Sequence, residues 1–366
     1  MEYRLDELFN LQMGKTPSRN NQSYWEKCEN KWISISDLSK CGKYISETKE
    51  YISDLAVKES GISIIPANTV IMSFKLSIGK TAITKEPIYS NEAIMSFRDR
   101  HVTELLPDYV YYLLSGRDWE SGTNKAVMGK TLNKATLSAI RVRIHSGEEQ
   151  RQIVRVLDHV NSIIDFHKQQ LQQFDDLIKA RFVEMFGTIQ NNVFGFADGT
   201  LESVSDEFFA GGDKPADCIT EKDSAHSYPV FANGYENEGL QGYSAKCRVN
   251  KPAVTVSARG TIGYCFIRDA GFTPIVRLVT IVPNNKVSVV FLKYAIDTME
   301  IKSSGTSQAQ LTVPDFKRER IIVPPIQLQE QFASFVAQVD KSKSVVQKAL
   351  DEAQLLFNSL MQQYFG

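Results

Sequence analysis

The 366-residue sequence predicts an α+β fold in which one unit occurs twice, each copy a mixed α/β globular head followed by a long helix. Three observations support this prediction. Short motifs recur in the same order in both halves, both halves end in a heptad pattern of apolar residues, and the remaining segments contain short strand-like runs. We therefore expect two repeated heads joined by two helices that form an antiparallel coiled coil, with an approximate two-fold relating the halves.

The clearest repeat is the motif S-x-[KR]-x-[ST]-I-G, which begins at Ser73 in the first half and at Ser257 in the second. Three further matches keep the same order at slightly different offsets: Gly14-x-x-Pro17 with Gly212-x-x-Pro215, Gly122-Thr123 with Gly305-Thr306, and residues 141–144 with residues 320–323. Loop insertions between related halves produce such a drift, whereas chance matches of short strings would not stay collinear. The sequence therefore predicts two heads, at residues 1–146 and 188–328.

Both heads contain short runs of β-branched and apolar residues, at residues 70–72, 81–83, 254–256 and 276–282. Such residues favour extended strands, and the Gly, Pro and Asn residues between the runs favour turns. Residues 260–263 also fit the G-x-x-G pattern of a nucleic-acid-binding loop, but a turn between strands is the favoured interpretation. Each head is predicted to be mixed α/β or largely β.

A long helix is predicted after each head, at residues 147–187 and 329–366. Ser146 and Glu149 form a capping-box pattern, and Gly187 suits the position just after a helix. Apolar residues at alternating spacings of four and three are typical of a coiled-coil seam. The two seams comprise Ile153, Leu157, Val160, Ile164, Leu171, Phe174 and Ile178, and Phe332, Val336, Val339, Val346, Leu350, Phe357 and Leu360. Because both seams have the same phase, pairing of the helices is favoured over the alternative, packing of each helix on a separate domain.

One polar residue interrupts each seam, His167 in the first helix and Lys343 in the second. Polar residues at seam positions commonly fix the register of a coiled coil. We predict that role for both residues rather than a chemical one.

Motifs for catalysis, metal binding and nucleotide binding are missing from the sequence. Three Gly-Lys-Thr triplets, at residues 14–16, 79–81 and 129–131, lack the earlier glycine that a phosphate-binding loop requires. No H-E-x-x-H or C-x-x-C pattern occurs, and the five scattered cysteines indicate reduced thiols. No apolar run reaches the roughly 18 residues of a membrane span, and the N-terminus has no signal-peptide core. We expect a cytoplasmic, non-membrane protein without a metal site or catalytic residues.

The charges nearly balance, since the sequence has 42 Lys and Arg residues and 43 Asp and Glu residues. Taken alone, this balance argues against a strongly basic nucleic-acid-binding protein. Residues 1–146, however, carry 20 basic and 17 acidic side chains, whereas the other three segments are each net negative. Lysines near the repeated loops suit contacts with phosphates, although a solvated lysine-bearing surface is the alternative. In the second head, Gln308 and Gln310 suit an adenine edge but equally suit an uninformative polar loop.

Taken together, these motifs resemble the specificity (S) subunits of type I restriction-modification enzymes. The resemblance covers nearly the whole chain and rests on the head–helix–head–helix order, the S-x-[KR]-x-[ST]-I-G turns and the Gly-Thr pairs before each helix. Four further segments look like recurrent segments of that family: Gln150-Arg-Gln-Ile-Val, Gln170-Leu-x-x-x-Asp175-x-Leu177, Tyr228-Pro-Val-Phe-Ala-Asn-Gly234 and Gln329-Glu-Gln-Phe332.

The resemblance implies a non-catalytic reader of double-stranded DNA. Each head would be a target-recognition domain for one half of a split DNA sequence, and the paired helices would set the gap between the halves. The helices would also dock two modification (methyltransferase) subunits, which bind S-adenosylmethionine and methylate adenine. Restriction (translocase and nuclease) subunits can join that complex. The cofactor is therefore expected on the partner, and none on this chain.

Two details of the sequence agree with those implications. The only Pro-Pro pair, Pro324-Pro325, is not part of an acid-Pro-Pro-aromatic methyltransferase motif. The two heads differ strongly outside the matched loops, which predicts an asymmetric bipartite target rather than a palindrome. The candidate DNA-binding residues lie in these loops: Ser73, Lys75, Ser77, Lys80, Lys125, Lys130, Lys134, Asn233, Tyr235, Ser257, Arg259, Thr261, Ser304, Thr306, Gln308 and Gln310.

Two other classes of function stay open on the sequence. One is a self-sufficient DNA methyltransferase or nuclease whose site has no recognised motif. The other is a scaffold whose heads bind peptides or proteins. Binding of S-adenosylmethionine by the isolated chain would favour the first, and DNA binding with a steep salt dependence would argue against the second.

Overall fold

A computed structural model describes residues 1–26, 28–75, 77–117, 119, 133–260, 262–299 and 311–366 of the chain. These residues form two compact units. Unit 1 comprises residues 1–167 and 349–366, and unit 2 comprises residues 168–348. This division falls within the long helices, not at the predicted head–helix junctions, because the ends of both helices pack into the cores of the heads. None of the helices formed by the described residues is long and apolar enough to cross a membrane.

The described residues of unit 1 form ten strands, five short helices, the first half of one long helix and the end of another. In chain order these are β1 (Glu2–Arg4), α1 (Leu5–Leu8), β2 (Phe9–Met13), β3 (Asn30–Ile33), α2 (Ile35–Leu38), β4 (Tyr44–Ile45), β5 (Glu50–Ile52), α3 (Asp54–Ser60), β6 (Val70–Ser73), β7 (Thr81–Thr84), β8 (Tyr89–Ser90), β9 (Ile94–Asp99), α4 (Pro107–Ser115), α5 (Lys134–Ser138), β10 (Arg141–Arg143) and α6 (Gly147–Phe186). The strands form a sheet of order β2-β9-β6-β7-β4, a second of order β5-β3-β8, and the pair β1-β10.

Unit 2 contains the second half of α6 and repeats the plan of unit 1. Its elements are β11 (Ala197–Thr200), β12 (Ser205–Ala210), β13 (Tyr228–Phe231), β14 (Leu240–Ser244), β15 (Ala253–Val256), β16 (Cys265–Arg268), β17 (Thr273–Pro274), β18 (Val279–Pro283), α7 (Val289–Asp297), α8 (Val313–Lys317), β19 (Arg320–Val323) and α9 (Ile326–Phe365). The strands form sheets of order β12-β18-β15-β16 and β14-β13-β17, and the pair β11-β19.

The predicted repeat is confirmed at the level of sheet topology. The order β2-β9-β6-β7 in unit 1 matches β12-β18-β15-β16 in unit 2, and β1-β10 matches β11-β19. In both units a short parallel pair, β3 with β8 or β13 with β17, begins a second sheet. The mixed α/β prediction for the heads is likewise confirmed.

Three of the four predicted strand runs lie within strands, namely residues 70–72, 81–83 and 254–256. The prediction for residues 276–282 is wrong at its start, because β18 begins at Val279. Val276 and Arg277 instead have positive φ angles of 51° and 60°, which interrupt the extended chain.

The long helices extend over Gly147–Phe186 and Ile326–Phe365, so the second begins three residues before the predicted start. The capping box at the first helix is present, since the Ser146 N–H donates to Glu149 Oε2 at 2.8 Å and the Glu149 N–H donates to Ser146 Oγ at 3.4 Å. Gly187 follows with a φ of 71°, as expected for a residue that ends a helix in the left-handed conformation.

Every predicted seam position is buried or half-buried. In unit 1, Ile153 and Leu157 from the start of α6 pack in the same core as Met361 from the end of α9. In unit 2, Ile178 near the end of α6 packs in the same core as Phe332 near the start of α9. Within each unit the start of one helix thus meets the end of the other, which is antiparallel pairing.

The outer seam residues also have a second role that the heptad pattern did not predict. The cores that contain them include head residues such as Tyr109 in unit 1 and Phe291 in unit 2. At the helix ends, the seam residues therefore contribute both to helix pairing and to packing against the heads. At one predicted interruption, Lys343 Nζ lies 2.6 Å from Asp175 Oδ1 and so forms an ion pair between the helices in unit 2.

A buried glutamine connects each long helix to its head in the same way. Gln150 is fully buried; its Oε1 accepts from the Leu106 N–H at 3.0 Å, and its Nε2 donates to the carbonyls of Glu104 and His145. Gln329 is also fully buried; its Oε1 accepts from the Ser288 N–H at 2.8 Å, and its Nε2 donates to the carbonyls of Lys286 and Pro324. Leu106 and Ser288 are the N-cap residues of α4 and α7, so each glutamine fixes the helix that follows the central sheet.

A network centred on Lys43 fixes α4 and α6 within unit 1. Lys43 Nζ lies 2.7 Å from Asp108 Oδ1 and 2.6 Å from Asp158 Oδ1. The Tyr44 and Tyr112 hydroxyls donate to these two carboxylates, each at 2.5 Å. Burial by itself raises the pKa of Asp108, but hydrogen bonds from Lys43 and Tyr44 outweigh it, so the pKa is lowered. The hydrogen bond to Asp108 raises the pKa of Tyr44 to about 12.

These shifts predict how the stability of unit 1 depends on pH. The lowered pKa of Asp108 stabilises the folded state above the ordinary carboxyl range, and this contribution is lost as the pH falls below about 4. The raised pKa of Tyr44 contributes below pH 10, and its contribution is lost as the pH rises towards about 12. Urea midpoints followed by tryptophan fluorescence across this pH range measure both losses. In Asp108→Asn, the urea midpoint should fall less steeply as the pH drops below about 4. A midpoint that falls as steeply as in the wild type would contradict the role given to the Asp108 carboxylate.

Candidate nucleic-acid interface

The repeated motif forms the same hairpin loop in both units. In unit 1 it connects β6 to β7: the Gly79 N–H donates to the Ser73 carbonyl at 2.9 Å, and the Ser73 N–H donates to the Lys80 carbonyl at 2.8 Å. In unit 2 it connects β15 to β16, and the corresponding bonds from Gly263 to Ser257 and from Ser257 to Tyr264 are both 2.9 Å. Gly79 and Gly263 have φ angles of 88° and 93°, which explains why the motif ends in glycine.

The motif serines are buried and form hydrogen bonds with protein groups. Ser73 and Ser257 are only 0% and 1% exposed. Ser73 Oγ accepts from the Lys80 N–H at 3.1 Å and donates to the Ser77 carbonyl, which closes the loop. Ser257 Oγ accepts from the Gly234 N–H at 3.4 Å. Neither hydroxyl reaches the surface, so these two serines hold the loops in shape, and DNA binding by the loops stays a prediction.

The loop end of unit 1, defined as residues 14–19, 73–75, 77–80 and 90–92, presents several cationic side chains. Ser77 and Lys80 are exposed, and Lys75 is half-buried with its Nζ 5.4 Å from the centre of the Phe74 ring. A hydrogen bond from Thr16 lowers the pKa of Glu92, and the charges of Lys75 and Arg19 lower it further.

Gly14 brings two segments of this loop end into close contact. Its N–H donates to the Ile94 carbonyl at 3.1 Å, and the next residue, Lys15, donates to the Ser90 carbonyl at 2.8 Å. A Cβ atom at position 14 would lie 2.2 Å from the Ser90 carbonyl oxygen, so only glycine fits. The Gly-Lys-Thr triplet at residues 14–16 is therefore part of a backbone contact, which agrees with its interpretation as an ordinary loop.

Not all predicted residues come together. Lys134 lies beside Arg4 and Arg100 near Phe9, and Phe9 pairs with Asp99 at the end of the sheet away from Ser73. It is therefore not part of the unit 1 loop end. Seven further predicted residues lie outside the described residues: Lys125, Lys130, Thr261, Ser304, Thr306, Gln308 and Gln310.

The loop end of unit 2, defined as residues 211–215, 233–238, 257–260, 262–264 and 275–277, is organised by Asn233. Its Oδ1 accepts from the Ala258 N–H at 2.8 Å, and its Nδ2 donates to the Val276 carbonyl at 2.6 Å. One predicted side chain thus joins three loops. Asn233 is bound to protein groups at both ends of its amide and so positions the loops, while its contact with DNA stays a prediction.

Exposed aromatic and cationic side chains lie on these joined loops. Tyr235 and Tyr264 are 63% and 40% exposed, and their ring centres are 4.8 Å apart. Arg259 is also exposed. Aromatic and guanidinium groups are common contacts to nucleic-acid bases and phosphates. Of these three residues, Tyr235 and Arg259 are predicted from the sequence and Tyr264 is not.

A buried arginine supports the segment that carries Tyr235. Arg268 is 3% exposed; its Nη1 lies 2.8 Å from Glu238 Oε2, and its Nε donates to Thr255 Oγ1 at 3.0 Å. Its guanidinium carbon lies 3.7 Å from the centre of the Phe231 ring. Burial lowers the pKa of Arg268, and the Glu238 carboxylate opposes that effect. Arg268 thereby holds the turn after Tyr235 against the sheet.

The described residues contain no group of three or more His, Cys, Asp or Glu side chains arranged to hold a metal ion. Both loop ends instead combine paired backbone groups with exposed basic, polar or aromatic side chains. That combination is suited to binding another polar macromolecule.

The family model for the type I restriction modification DNA specificity domain matches residues 1–174 and 202–354. The chain belongs to this family. Among members of the specificity-subunit group, the MjaIX subunit of Methanocaldococcus jannaschii is 23% identical over 364 residues, which cover 88% of this chain and 82% of the relative. The EcoprrI subunit of Escherichia coli is 22% identical, with 92% and 86% covered.

Higher identity is confined to a shorter stretch. A Mycoplasma pneumoniae protein named as a type I specificity subunit is 37% identical over 136 residues, which are 37% of this chain. That alignment spans 41% of the relative's own length.

Two solved structures from type I restriction-modification systems share the fold. The S subunit of a type I restriction-modification system from M. genitalium superposes with a TM-score of 0.57 at 14% identity, covering 100% of this chain and 96% of that one. A chain from a structural study of type I restriction-modification complex assembly gives a TM-score of 0.61 at 16% identity, with 100% and 97% covered. The described residues of this chain therefore share their fold with those two structures.

Proposed function

We propose that this chain is the DNA-recognition subunit of a type I restriction-modification complex and has no active site of its own. The observation that supports this most strongly is the duplicated loop end. One hairpin motif with the same backbone hydrogen bonds occurs in both units, and the side chains around it differ between the units. A protein that reads two unlike half-sites needs one scaffold used twice with different surface residues.

Each loop end would contribute to one half of a bipartite, asymmetric target. Lys75 and Lys80 of unit 1 and Arg259 of unit 2 would neutralise phosphates, and the polar and aromatic side chains beside them would contact base edges. Sequence-independent phosphate contacts position the protein, while base contacts supply the specificity.

Because the net charge of the chain is near zero, partner subunits would supply part of the electrostatic attraction to DNA. With 42 basic and 43 acidic residues, the chain alone offers a modest electrostatic attraction to DNA. Two modification subunits docked on the long helices would add to the phosphate contacts and carry the S-adenosylmethionine. They would methylate an adenine that is flipped out of the duplex, which requires DNA held firmly by the recognition subunit. Restriction subunits would join the same complex in the cytoplasm.

Partner-dependent methylation tests this proposal. Three strains of a methylation-free host are compared. One expresses the chain alone, one expresses the cognate modification subunit alone, and one expresses both proteins. Single-molecule sequencing of genomic DNA should detect N6-methyladenine at one two-part motif only when both proteins are present. Methylation by the chain alone would support the self-sufficient methyltransferase instead. Methylation that is unchanged when the chain is omitted would also contradict the proposal.

A further inference from the structure

The turn between β17 and β18 in unit 2 has an unusual backbone. Val276 and Arg277 are consecutive non-glycine residues with φ angles of 51° and 60°. The left-handed region is unfavourable for residues with a Cβ atom and is least favourable for β-branched ones such as valine. Such conformations persist where the surrounding structure imposes them, and they concentrate at functional sites.

Three hydrogen bonds impose this conformation. The Val276 N–H donates to the Gly212 carbonyl at 2.8 Å, and the Arg277 N–H donates to the Gly211 carbonyl at 3.0 Å. The Val276 carbonyl accepts from Asn233 Nδ2 at 2.6 Å. A Cβ atom at position 211 would lie 2.7 Å from the Ile275 nitrogen, so glycine is needed for this close approach. The turn is therefore fixed from two neighbouring segments.

The consequence of this backbone is that two adjacent side chains face the solvent. The flanking residues Ile275 and Leu278 are each 2% exposed and anchor the turn in the protein. Val276 is 51% exposed, and Arg277 is exposed as well. In a regular strand one of two successive side chains would point inward. Among the described residues, none forms an ion pair with the Arg277 guanidinium.

The corresponding turn of unit 1 has the same position but different chemistry. The Asn91 N–H donates to the Ile33 carbonyl at 3.1 Å, just as the Ile275 N–H donates to the Phe231 carbonyl at 2.8 Å. Glu92 therefore corresponds to Val276, and its carboxylate accepts a hydrogen bond from the Thr16 hydroxyl. None of residues 91–93 has a positive φ. A position that is equivalent in the fold thus carries a carboxylate in one unit and a Val-Arg pair in the other.

From these observations we infer that Val276 and Arg277 are specificity-determining residues of unit 2, which read base edges in the major groove of double-stranded DNA. The inference rests on the proposed function and names the residues that perform it in this unit. A guanidinium presented by a fixed backbone suits bidentate binding to O6 and N7 of guanine, and an exposed valine beside it suits the methyl group of thymine. Asn233 is a positioning residue that holds the turn.

The test uses the complete complex and the methylation assay. Arg277→Gln should relax one guanine position in one half-site, with roughly a 10- to 100-fold loss of discrimination there, and leave the other half-site unchanged. Val276→Gly retains the left-handed backbone, because glycine accepts it readily, and should relax only the adjacent position. Arg318→Gln removes an exposed arginine that follows α8, outside the loop end, and should leave the motif unchanged.

Asn233 has a separate readout. Asn233→Ala should relax the same positions as the two turn variants, whereas a residue of purely general structural importance would reduce methylation equally at all motif positions. Asn233→Asp keeps the oxygen that accepts from Ala258 and should retain part of the discrimination.

The outcomes separate the two claims. A two-part wild-type motif that is unchanged in both Arg277→Gln and Val276→Gly overturns this inference alone. A wild-type complex that shows no two-part motif contradicts the proposed function, and this inference with it.

Discussion

Phe332→Ala is expected to lower the free energy of unfolding of unit 2 by about 3–5 kcal/mol, the usual cost of truncating a fully buried phenylalanine. Phe332 is 0% exposed, and its ring centre lies 5.5 Å from that of Phe182, 5.6 Å from that of Phe186 and 5.3 Å from that of Tyr294. These rings come from α9, α6 and α7, so one side chain links both long helices to the head. The cavity left by alanine would remove packing contacts from all three elements.

The measurement needs a probe for unit 2. All three tryptophans, Trp25, Trp32 and Trp119, belong to unit 1, so their fluorescence reports on unit 1. Urea unfolding followed by far-ultraviolet circular dichroism includes the helices and strands of unit 2. Val345→Ala, at a position 68% exposed on the part of α9 that belongs to unit 2, is the control and should change the stability by no more than about 0.5 kcal/mol. Equal midpoints for the two variants would contradict the packing described here.

Gln150→Leu and Gln329→Leu are expected to destabilise units 1 and 2, respectively, by about 2–4 kcal/mol each. Each substitution removes three hydrogen bonds and leaves one backbone N–H and two carbonyls without their partner. An unsatisfied buried polar group costs about 1–3 kcal/mol, and leucine recovers a part of this through its apolar surface. Tryptophan fluorescence is the probe for Gln150→Leu, and circular dichroism for Gln329→Leu.

Matched controls lie two residues further along each helix. Gln152 and Gln331 are exposed, so Gln152→Leu and Gln331→Leu change the same chemical group without breaking the buried bonds. If the buried and exposed variants lost stability equally, the glutamine contacts could not be what joins the helices to the heads. The sequence resemblance singled out both glutamine segments, and the buried hydrogen bonds provide the physical reason for the repeated residue.

The sequence predicted much of the fold because the fold is repetitive. The motif ending in Gly79 and Gly263 marks a turn that needs a positive φ, and heptad spacing marks helices with one buried face. Both signals are local in the sequence. The division of the seam between helix pairing and the head cores is not local, because it depends on which surfaces meet after folding.

The candidate interface was predicted less completely, for reasons that individual residues illustrate. Ser73 and Ser257 carry the repeated pattern because they close the loop, so the repeat identified the scaffold rather than the surface. Lys134 is close in sequence to the repeated Gly-Thr element but lies near Arg100, away from the loop end. The sequence predicts Val276 to begin a strand, because valine favours strands. In the fold, tertiary hydrogen bonds hold this residue in a left-handed turn, which a local pattern does not show.

The central claim is that each unit recognises its own half-site, and exchange of one whole unit tests it most directly. Unit 2 is a single continuous segment, residues 168–348, and it contains all the residues of its main core. The corresponding segment of a family member with a different known target can therefore replace it together with the helix surfaces on which its head packs. The hybrid is expressed with the cognate modification subunit, and its methylated motif is sequenced. The hybrid motif is expected to keep one half-site of the parent chain and to gain one half-site of the donor. A hybrid motif in which both half-sites differ from those of the parent chain would contradict it.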